Sequence, residues 1–161
     1  MIVIRPEEAR DIEGIYALTV MAFEGKAYSD GGEADVIDRL RDAGALTLSL
    51  VGEEAGEIVA HIGFSPVTGA ADWYALGPVS VTPPLQRKGV GRTLIEEGLD
   101  RIRRLGAAGV VLEGSPEYYR RFGFAPSAAL TYKGKPSPYL QTLVFRGEPM
   151  EGEIGFHGAF G

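Results

Sequence analysis

Residues 86 to 93, QRKGVGRT, combine basic side chains and glycines just before a helical pattern. A helix that begins near Val90 has backbone N–H groups in its first turn without intrahelical partners, and it carries the positive end of the helix dipole there. Gly89 and Gly91 lack the Cβ atoms that would keep an anion from those groups. The stretch therefore predicts a loop that binds phosphate groups.

The helix after this loop is indicated by its apolar periodicity. The apolar residues at three- and four-residue spacing are Val90, Leu94, Ile95, Leu99, Ile102 and Leu105. Oppositely charged residues four positions apart, Glu97 with Arg101 and Asp100 with Arg104, favour the same helix on its wet face.

Three specific interpretations of this loop can be tested against its sequence: a Walker-type ATP loop, a dinucleotide fingerprint and a solvated helix start that binds nothing. A Walker-type ATP loop needs its lysine after the glycine, whereas Lys88 precedes Gly89. A dinucleotide fingerprint is closer, with Glu113 near the place of a ribose-binding acid, but Leu94 replaces its third glycine and residues 82–88 make the turn too long. A merely solvated helix start would not need two glycines, which each cost about 0.5 to 1 kcal/mol relative to alanine.

Composition sets the class of protein. The 161 residues are 45% apolar and 24% charged, which is typical of one globular domain spanning residues 1–161. The net charge of −6 argues against a general nucleic-acid-binding surface. The absence of cysteine excludes disulfides, thiolate metal sites and a cysteine nucleophile, and His61 and His157 fit no metal-ligand spacing, so no metal is expected. Charge at the fifth residue and the lack of a long apolar run predict a cytoplasmic protein without a membrane segment.

The order of elements follows from the change in hydrophobic period. Two helices, over residues 8–23 and around 36–40, follow a first strand at MIVIR, and Gly44 should end the second helix. The segments ALTLSLVGE, GEIVAHIGFSPV and DWYALGPVSVTP then predict antiparallel strands, and the helix from Val90 leads to a buried strand at AGVVLEG. A short helix at SPEYYRRF, a strand at SPYLQTLVF and a glycine-rich tail, expected as a loop or edge strand, complete the chain. This order predicts an α/β fold with a mixed, mostly antiparallel central sheet and helices on both faces.

Two segments together resemble the GNAT acetyltransferase superfamily. LGPVSVTPPLQRKGVGRTLI resembles the acetyl-CoA-binding motif of that family, in which a strand ending in V-x-P is followed by Q/R-x-x-G-x-G/A at a helix start. YYRRFGF, at residues 118–124, resembles the family's later aromatic element, and the form GSPEYYRRFGF is similar to the YhbS-like acetyltransferases.

The resemblance implies a GNAT-like sheet with one splayed parallel strand pair and acetyl-CoA as co-substrate. The residues it implies for binding acetyl-CoA are Val79, Ser80, Val81, Gln86, Arg87, Lys88, Gly89, Val90, Gly91, Arg92, Thr93 and Ser115. The strand residues would pair with the pantetheine amides and the loop would hold the pyrophosphate. Many members contact the pantetheine arm with an asparagine, which this chain lacks altogether; Ser115 or nearby backbone groups are expected to replace it.

Tyr119 is the expected general acid, because it precedes Gly123 by four residues, where the family's tyrosine protonates the leaving thiolate. Tyr118 is the adjacent alternative, since successive helical residues point about 100° apart and only one can face the gap. Packing of both rings in the core is the structural alternative. Candidates for a general base are Glu24, Asp72, Tyr74 and Glu113, and none is preferred.

These expectations converge on direct transfer of an acetyl group from acetyl-CoA to a primary amine of a small molecule or peptide. The strand around Trp73 and Tyr74 and the loop at residues 24–32 should border the acceptor. A CoA-binding sensor without catalysis and a nicotinamide-dependent oxidoreductase are the alternative functions. No nucleic-acid or membrane partner is expected, and the last strand and tail could form a homodimer contact.

Overall fold

The computed structural model describes residues 1–161 as a chain of nine strands and four α-helices. The strands are β1 (Val3–Pro6), β2 (Leu48–Glu54), β3 (Glu57–Pro66), β4 (Trp73–Val81), β5 (Gly109–Glu113), β6 (Ala125–Pro126), β7 (Leu130–Tyr132), β8 (Leu140–Val144) and β9 (Gly152–Ile154). The helices are α1 (Ile12–Phe23), α2 (Glu33–Asp42), α3 (Val90–Arg104) and α4 (Pro116–Tyr119). No helix is long and apolar enough to cross a membrane.

Seven strands form one sheet in the order β1-β2-β3-β4-β5-β8-β6. Every neighbouring pair in it is antiparallel except β4 and β5, which the α3 crossover connects in parallel. The predicted mixed, mostly antiparallel sheet is confirmed. The connection between these two parallel strands consists of residues 82–108 and includes α3. The predicted phosphate loop lies in this connection, just before α3.

The parallel pair β4 and β5 separates part of the way along its length. The two strands pair from Trp73 with Gly109 to Ala75 with Val111, and no further pair follows. Strand β4 nevertheless runs on to Val81, and β5 runs on to Glu113. The predicted splay is thus present, and beyond Ala75 one edge of β4 has no strand partner.

Helices cover both faces of the sheet because successive residues of its central strands point to opposite faces. Val51 of β2 packs with Ile15 of α1 and Ile37 of α2. Its neighbour Leu50 belongs to the larger core that α3 covers. Helix α3 lies very close to the sheet at Gly98, where a Cβ would be 2.8 Å from the ring of Phe64.

Local interactions shift several predicted boundaries. The first helix begins at Ile12 rather than at residue 8, because a 3-10 turn precedes it. The Asp11 carboxylate fixes this turn by accepting hydrogen bonds from the Glu8 amide, at 2.7 Å, and from the Arg5 guanidinium. Gly44, with φ of +68°, follows α2 as predicted. Leu105 lies just past the end of α3 and is 64% exposed, so its assignment to the apolar face of α3 is wrong.

The tail is more ordered than its glycine content suggests. Strand β9 pairs in parallel with β7 to form a second, two-stranded sheet. Ile154 and Met150 bury their side chains beside Trp73, so that tryptophan packs in the core between the sheet and the tail. The Arg39 guanidinium of α2 donates two hydrogen bonds, of 3.1 and 2.9 Å, to the Ala159 carbonyl. The tail is therefore held against both the sheet and α2.

Replacing Gly109 with alanine should lower the free energy of unfolding by about 1 to 3 kcal/mol, because a Cβ there overpacks the core. It would lie 2.6 Å from Cζ3 of Trp73 and 2.7 Å from the Leu143 carbonyl oxygen, and a backbone carbonyl cannot turn away. Urea denaturation measures the effect. Gly158→Ala is the control, since nothing lies within 4 Å of its Cβ position; equal loss in both variants would contradict the prediction.

Candidate active site

The predicted phosphate loop turns sharply into α3. Arg87 and Gly89 both have left-handed backbone conformations, with φ of +62° and +86°. Gly89 is the N-cap of α3, and the Thr93 amide and hydroxyl both donate to its carbonyl at 3.1 Å. No atom lies within 4 Å of the Cβ position of Gly89. The first turn of α3 therefore faces open space, as an anion site requires.

Gln86 connects this loop to two other elements. Its side-chain amide donates a 2.9 Å hydrogen bond to the Val81 carbonyl at the end of β4. Its side-chain oxygen accepts a 3.4 Å hydrogen bond from Lys26, in the loop between α1 and α2. The polar atoms of Gln86 are thus used within the protein, where they fix the position of the loop relative to β4.

The open edge of β4 presents backbone groups of alternate residues. The Thr82 amide donates to Val59 of β3 at 2.8 Å, and strand amides alternate in direction, so the amides of Val79 and Val81 point to the other, open edge. Ser80 lies between them and faces elsewhere: its side chain is 1% exposed and its hydroxyl donates to Thr19 at 3.2 Å. The structure places Val79 and Val81 on the open edge and Ser80 in the interior beside α1.

One cleft joins the open strand edge, the phosphate loop and the α4 tyrosines. It encloses about 1130 Å³, including its open mouth. Its lining residues are Ala22, Phe23, Tyr28, Val79, Val81, Gln86, Arg87, Gly89, Gly91, Arg92, Ile95, Tyr118, Tyr119 and Arg121. The other predicted loop residues, Lys88, Val90 and Thr93, line a smaller cavity beside Ile2 and Ile4, which Gly89 also borders.

Tyr119 lies at this cleft with its ring enclosed by aromatic neighbours. The ring centroids of Tyr118, Phe124 and Phe122 are 5.0, 5.9 and 6.1 Å away. Burial raises the pKa of Tyr119 to about 12, and the nearby hydroxyls of Tyr118 and Tyr28 contribute in the same direction. The phenol therefore keeps its proton at neutral pH and can donate it.

Tyr118 also lines the cleft, but a cation covers its ring. The Arg121 guanidinium carbon is 4.4 Å from the ring centroid, and Arg121 Nε donates to the Tyr118 carbonyl at 2.8 Å. Ser115 is the N-cap of α4, where its side chain accepts the Tyr118 amide at 3.4 Å. Ser115 is exposed and lies outside the residues that line the cleft.

The candidate bases do not converge on one point. Asp72 precedes β4 at the end where the strands are still paired, and its carboxylate accepts a 3.0 Å hydrogen bond from Arg146. Asp72 is therefore excluded as a base at the gap. Tyr74 packs against the main core, and Glu113 is an exposed residue at the splayed end of β5. Glu24 lines a neighbouring groove between α1 and α2.

Both histidines serve the fold. His61 is fully buried and shares a 2.8 Å hydrogen bond with Ser49, which in turn donates to the Glu7 carboxylate. Burial lowers the pKa of His61 to about 4, so its imidazole is neutral at pH 7. His157 accepts the Ala159 amide at 3.0 Å and caps the last 3-10 turn. No group of three or more His, Asp or Glu side chains is arranged to hold a metal ion.

Five residues that line the cleft are not among the predicted site residues: Ala22, Phe23, Tyr28, Ile95 and Arg121. Tyr28 is 78% exposed and its ring is 6.3 Å from that of Phe23. An exposed aromatic in a polar loop was the available signal for Tyr28. Arg121 carried no signal of its own, because only the fold of residues 116–122 turns it over the Tyr118 ring.

Comparison with known proteins agrees with this geometry. The model of the acetyltransferase (GNAT) family matches residues 12–124. The N-acetyltransferase YhbS of Escherichia coli K12 is 37% identical over 129 residues, which cover 78% of this chain and 74% of YhbS. The chain belongs to the acetyltransferase (GNAT) family, and its class of activity is that of an N-acetyltransferase.

Solved structures give the same result over the whole length. A GNAT family acetyltransferase from Brucella melitensis, solved in complex with acetyl-CoA, is 44% identical with a TM-score of 0.89, and the match covers 100% of this chain and 99% of that one. Escherichia coli YhbS, solved in complex with CoA, is 31% identical with a TM-score of 0.89 over 99% of this chain and 91% of YhbS. The predicted family and fold are confirmed.

Proposed function

We propose that this protein transfers an acetyl group from acetyl-CoA directly to a primary amine within a ternary complex. The observation that carries the proposal is the gap beyond Ala75, where β4 keeps a free edge between the phosphate loop and Tyr119. A direct transfer needs a site that holds donor and acceptor together. The chain has no cysteine that could carry the acetyl group between two half-reactions.

The chain's residues fit acetyl-CoA, which supplies the acetyl group in activated thioester form. The open amide of Val81 suits the pantetheine arm, which would add to β4 as a further strand. The open amide of Val79 stays available for the thioester oxygen. The first turn of α3, with Gly89 and Gly91, suits the pyrophosphate, and Arg87 and Arg92 add positive charge beside it. Ser80 and Gln86 act in this proposal through packing and loop position, and Ser115 acts through capping α4.

Lys88, Val90 and Thr93 complete the same loop. Their side chains border the smaller cavity, so their contribution to acetyl-CoA is assigned to the backbone amides of the first turn. This assignment predicts that truncation of the Lys88 side chain has less effect than a change in the backbone at Gly89.

The chemical step needs an oxyanion partner and a proton donor. The amine nitrogen attacks the thioester carbonyl carbon, the new N–C bond forms, and the C–S bond breaks. The Val79 amide is the assigned hydrogen-bond donor to the oxygen that gains charge, since Pro78 has no N–H. Tyr119 donates its phenolic proton to the departing thiolate sulfur, and the proton lost by the amine restores the phenol, either directly or through solvent.

The acceptor is proposed as an amine of a small molecule or peptide. The groove beside the cleft carries the carboxylates of Glu24, Asp30 and Glu33, which favour a cation, with Lys26 as the one basic side chain among them. A cytoplasmic location, a single domain over residues 1–161 and a homodimer stay predictions.

The proposal is tested by thiol release. Purified protein is mixed with acetyl-CoA and a panel of small amines and peptides, and free CoA thiol is measured. Amine-dependent release supports transfer. A thermal-shift comparison of acetyl-CoA with NAD(P) separates the alternatives, because a ligand that binds the native state raises the melting temperature. Stabilisation by NAD(P) alone would favour an oxidoreductase, and acetyl-CoA binding without turnover on any amine would favour a sensor.

The value of kcat should not fall between pH 8 and about pH 10 through loss of the proton from the general acid. Because burial raises the pKa of Tyr119 to about 12, the proton-bearing form persists as the pH rises and is lost only near that value. A tyrosine with an ordinary pKa of about 10 would be half ionised at the upper end of this range. Steady-state kcat at saturating substrates measures it, and a fall centred at or below about pH 10 would contradict the assignment.

A further inference from the structure

Gly114, the residue after β5, lies directly against the ring of Tyr119. A Cβ at this position would be 2.6 Å from Cε2 and 3.0 Å from Cδ2 of that ring. Real Cβ atoms do not approach carbon so closely. The backbone of Gly114 is outside the left-handed region, so the position excludes a side chain because of the ring and not because of its own conformation.

The backbone of Gly114 is fixed from its other side by strand β8. Its amide donates a 2.9 Å hydrogen bond to the Tyr139 carbonyl. Its carbonyl accepts a 2.8 Å hydrogen bond from the side-chain amide of Gln141, which also donates to Tyr139 at 3.3 Å. The turn between β5 and α4 is therefore tied to β8 at both polar groups of Gly114.

Gln141 is an unusual residue for the place it occupies. It is 0% exposed and lies opposite Leu112 of β5, which belongs to the main core. Its side-chain oxygen has no hydrogen-bond partner, so only the amide half of the side chain is used. A buried, half-satisfied glutamine is a poor choice for stability, and its shorter hydrogen bond holds the Gly114 carbonyl.

We infer that Gly114 and Gln141 are positioning residues for Tyr119: Gln141 holds the turn after β5, and Gly114 gives the Tyr119 ring the space that aims its hydroxyl into the cleft. The inference rests on the proposed role of Tyr119 as the general acid. The remaining sides of the ring are enclosed by Tyr118, Phe122 and Phe124. A shift at Gly114 is therefore passed on as a reorientation of the hydroxyl.

Gly114→Ala should lower kcat by about tenfold or more and change the KM for acetyl-CoA by less than about threefold, because the loop at residues 86–93 is untouched. Gln141→Leu should lower kcat by a few-fold for the same reason, and it tests the inference if Gly114→Ala fails to fold. In the Tyr119→Phe background either substitution should change kcat by less than about twofold, because the hydroxyl that they aim is gone. Fully additive losses would overturn the inference.

A second readout needs no turnover. Tyrosine ionisation is followed by absorbance at 295 nm after a rapid pH jump. The hydrogen bond to Asp35 also raises the pKa of Tyr16, so wild type should contain late-ionising tyrosines in addition to the ordinary ones. The late component that is missing in Tyr119→Phe should ionise earlier in Gly114→Ala and Gln141→Leu, and the Tyr16 component should be unchanged. If both positioning variants ionise earlier but Tyr119→Phe retains full turnover, the positioning of the ring is supported and the general-acid role of Tyr119 is contradicted. Unchanged ionisation in both positioning variants would overturn the positioning itself.

Discussion

Tyr119→Phe should lower kcat by about tenfold or more while leaving the affinity for acetyl-CoA nearly intact. General acids typically contribute a factor of about 10² to 10⁴ to the rate. The substitution removes the proton donor to the leaving thiolate and keeps the ring, which packs against Tyr118 and Phe124. Steady-state kinetics give kcat, and the melting temperature at increasing acetyl-CoA gives the affinity.

Two further variants make this result specific. Tyr118→Phe should retain most of the activity, because Arg121 covers the ring and the assigned donor is intact. Tyr132→Phe is the matched control, since that tyrosine packs 5.0 Å from Phe156 beneath the tail, away from the cleft. A large loss in Tyr118→Phe with full turnover in Tyr119→Phe would transfer the role to the neighbouring residue.

Gly89→Ala should raise the KM for acetyl-CoA by about tenfold with little change in kcat. Gly89 has a left-handed backbone, which costs an L-residue roughly 1 to 2 kcal/mol. The loop can relieve that strain only by turning away from its native conformation, which moves the first N–H groups of α3. A difference of about 1.4 kcal/mol is tenfold in binding.

Gly106→Ala provides the matched control at the other end of α3. Gly106 also has a left-handed backbone, with φ of +104°, and nothing lies within 4 Å of its Cβ position. The two substitutions should therefore reduce the free energy of unfolding by similar amounts, which urea denaturation measures. Only Gly89→Ala should affect acetyl-CoA. An equal effect of both on KM would show that strain in α3, and not the phosphate loop, is responsible.

Most predictions that depended on local pattern are confirmed, and the start of α1 and the place of Leu105 are the exceptions. The alternation of apolar residues identified the strands, and QRKGVG located the start of α3, because main-chain conformation and helix ends depend on nearby residues. The splay of β4 and β5 came from the resemblance to the family and is confirmed. The apolar periodicity alone indicates a helical crossover between two parallel strands. It does not indicate where along their length those strands separate.

Which side chains lie at the cleft depends on contacts between elements that are distant in sequence. Ser80 sits in a strand that lines the cleft, but strand alternation and the hydroxyl of Thr19 turn it inward. Asp72 directly precedes β4, but it lies at the closed end of the parallel pair. Tyr28 reaches the cleft from the loop between α1 and α2. None of these placements can be read from spacing along the chain.

By itself the sequence determined the order of elements, the position of the glycine-containing turn before α3 and the family, because these depend on residue types within a few turns or strands of one another. Only the tertiary structure decided which of the loop and strand residues share one cleft, and that Gln141 holds the carbonyl of Gly114, which lies against the Tyr119 ring. Gln141 is 22 residues beyond Tyr119 and meets the turn only through the pairing of β8 with β5. Contacts between elements are set by how the sheet assembles, and no local pattern records them.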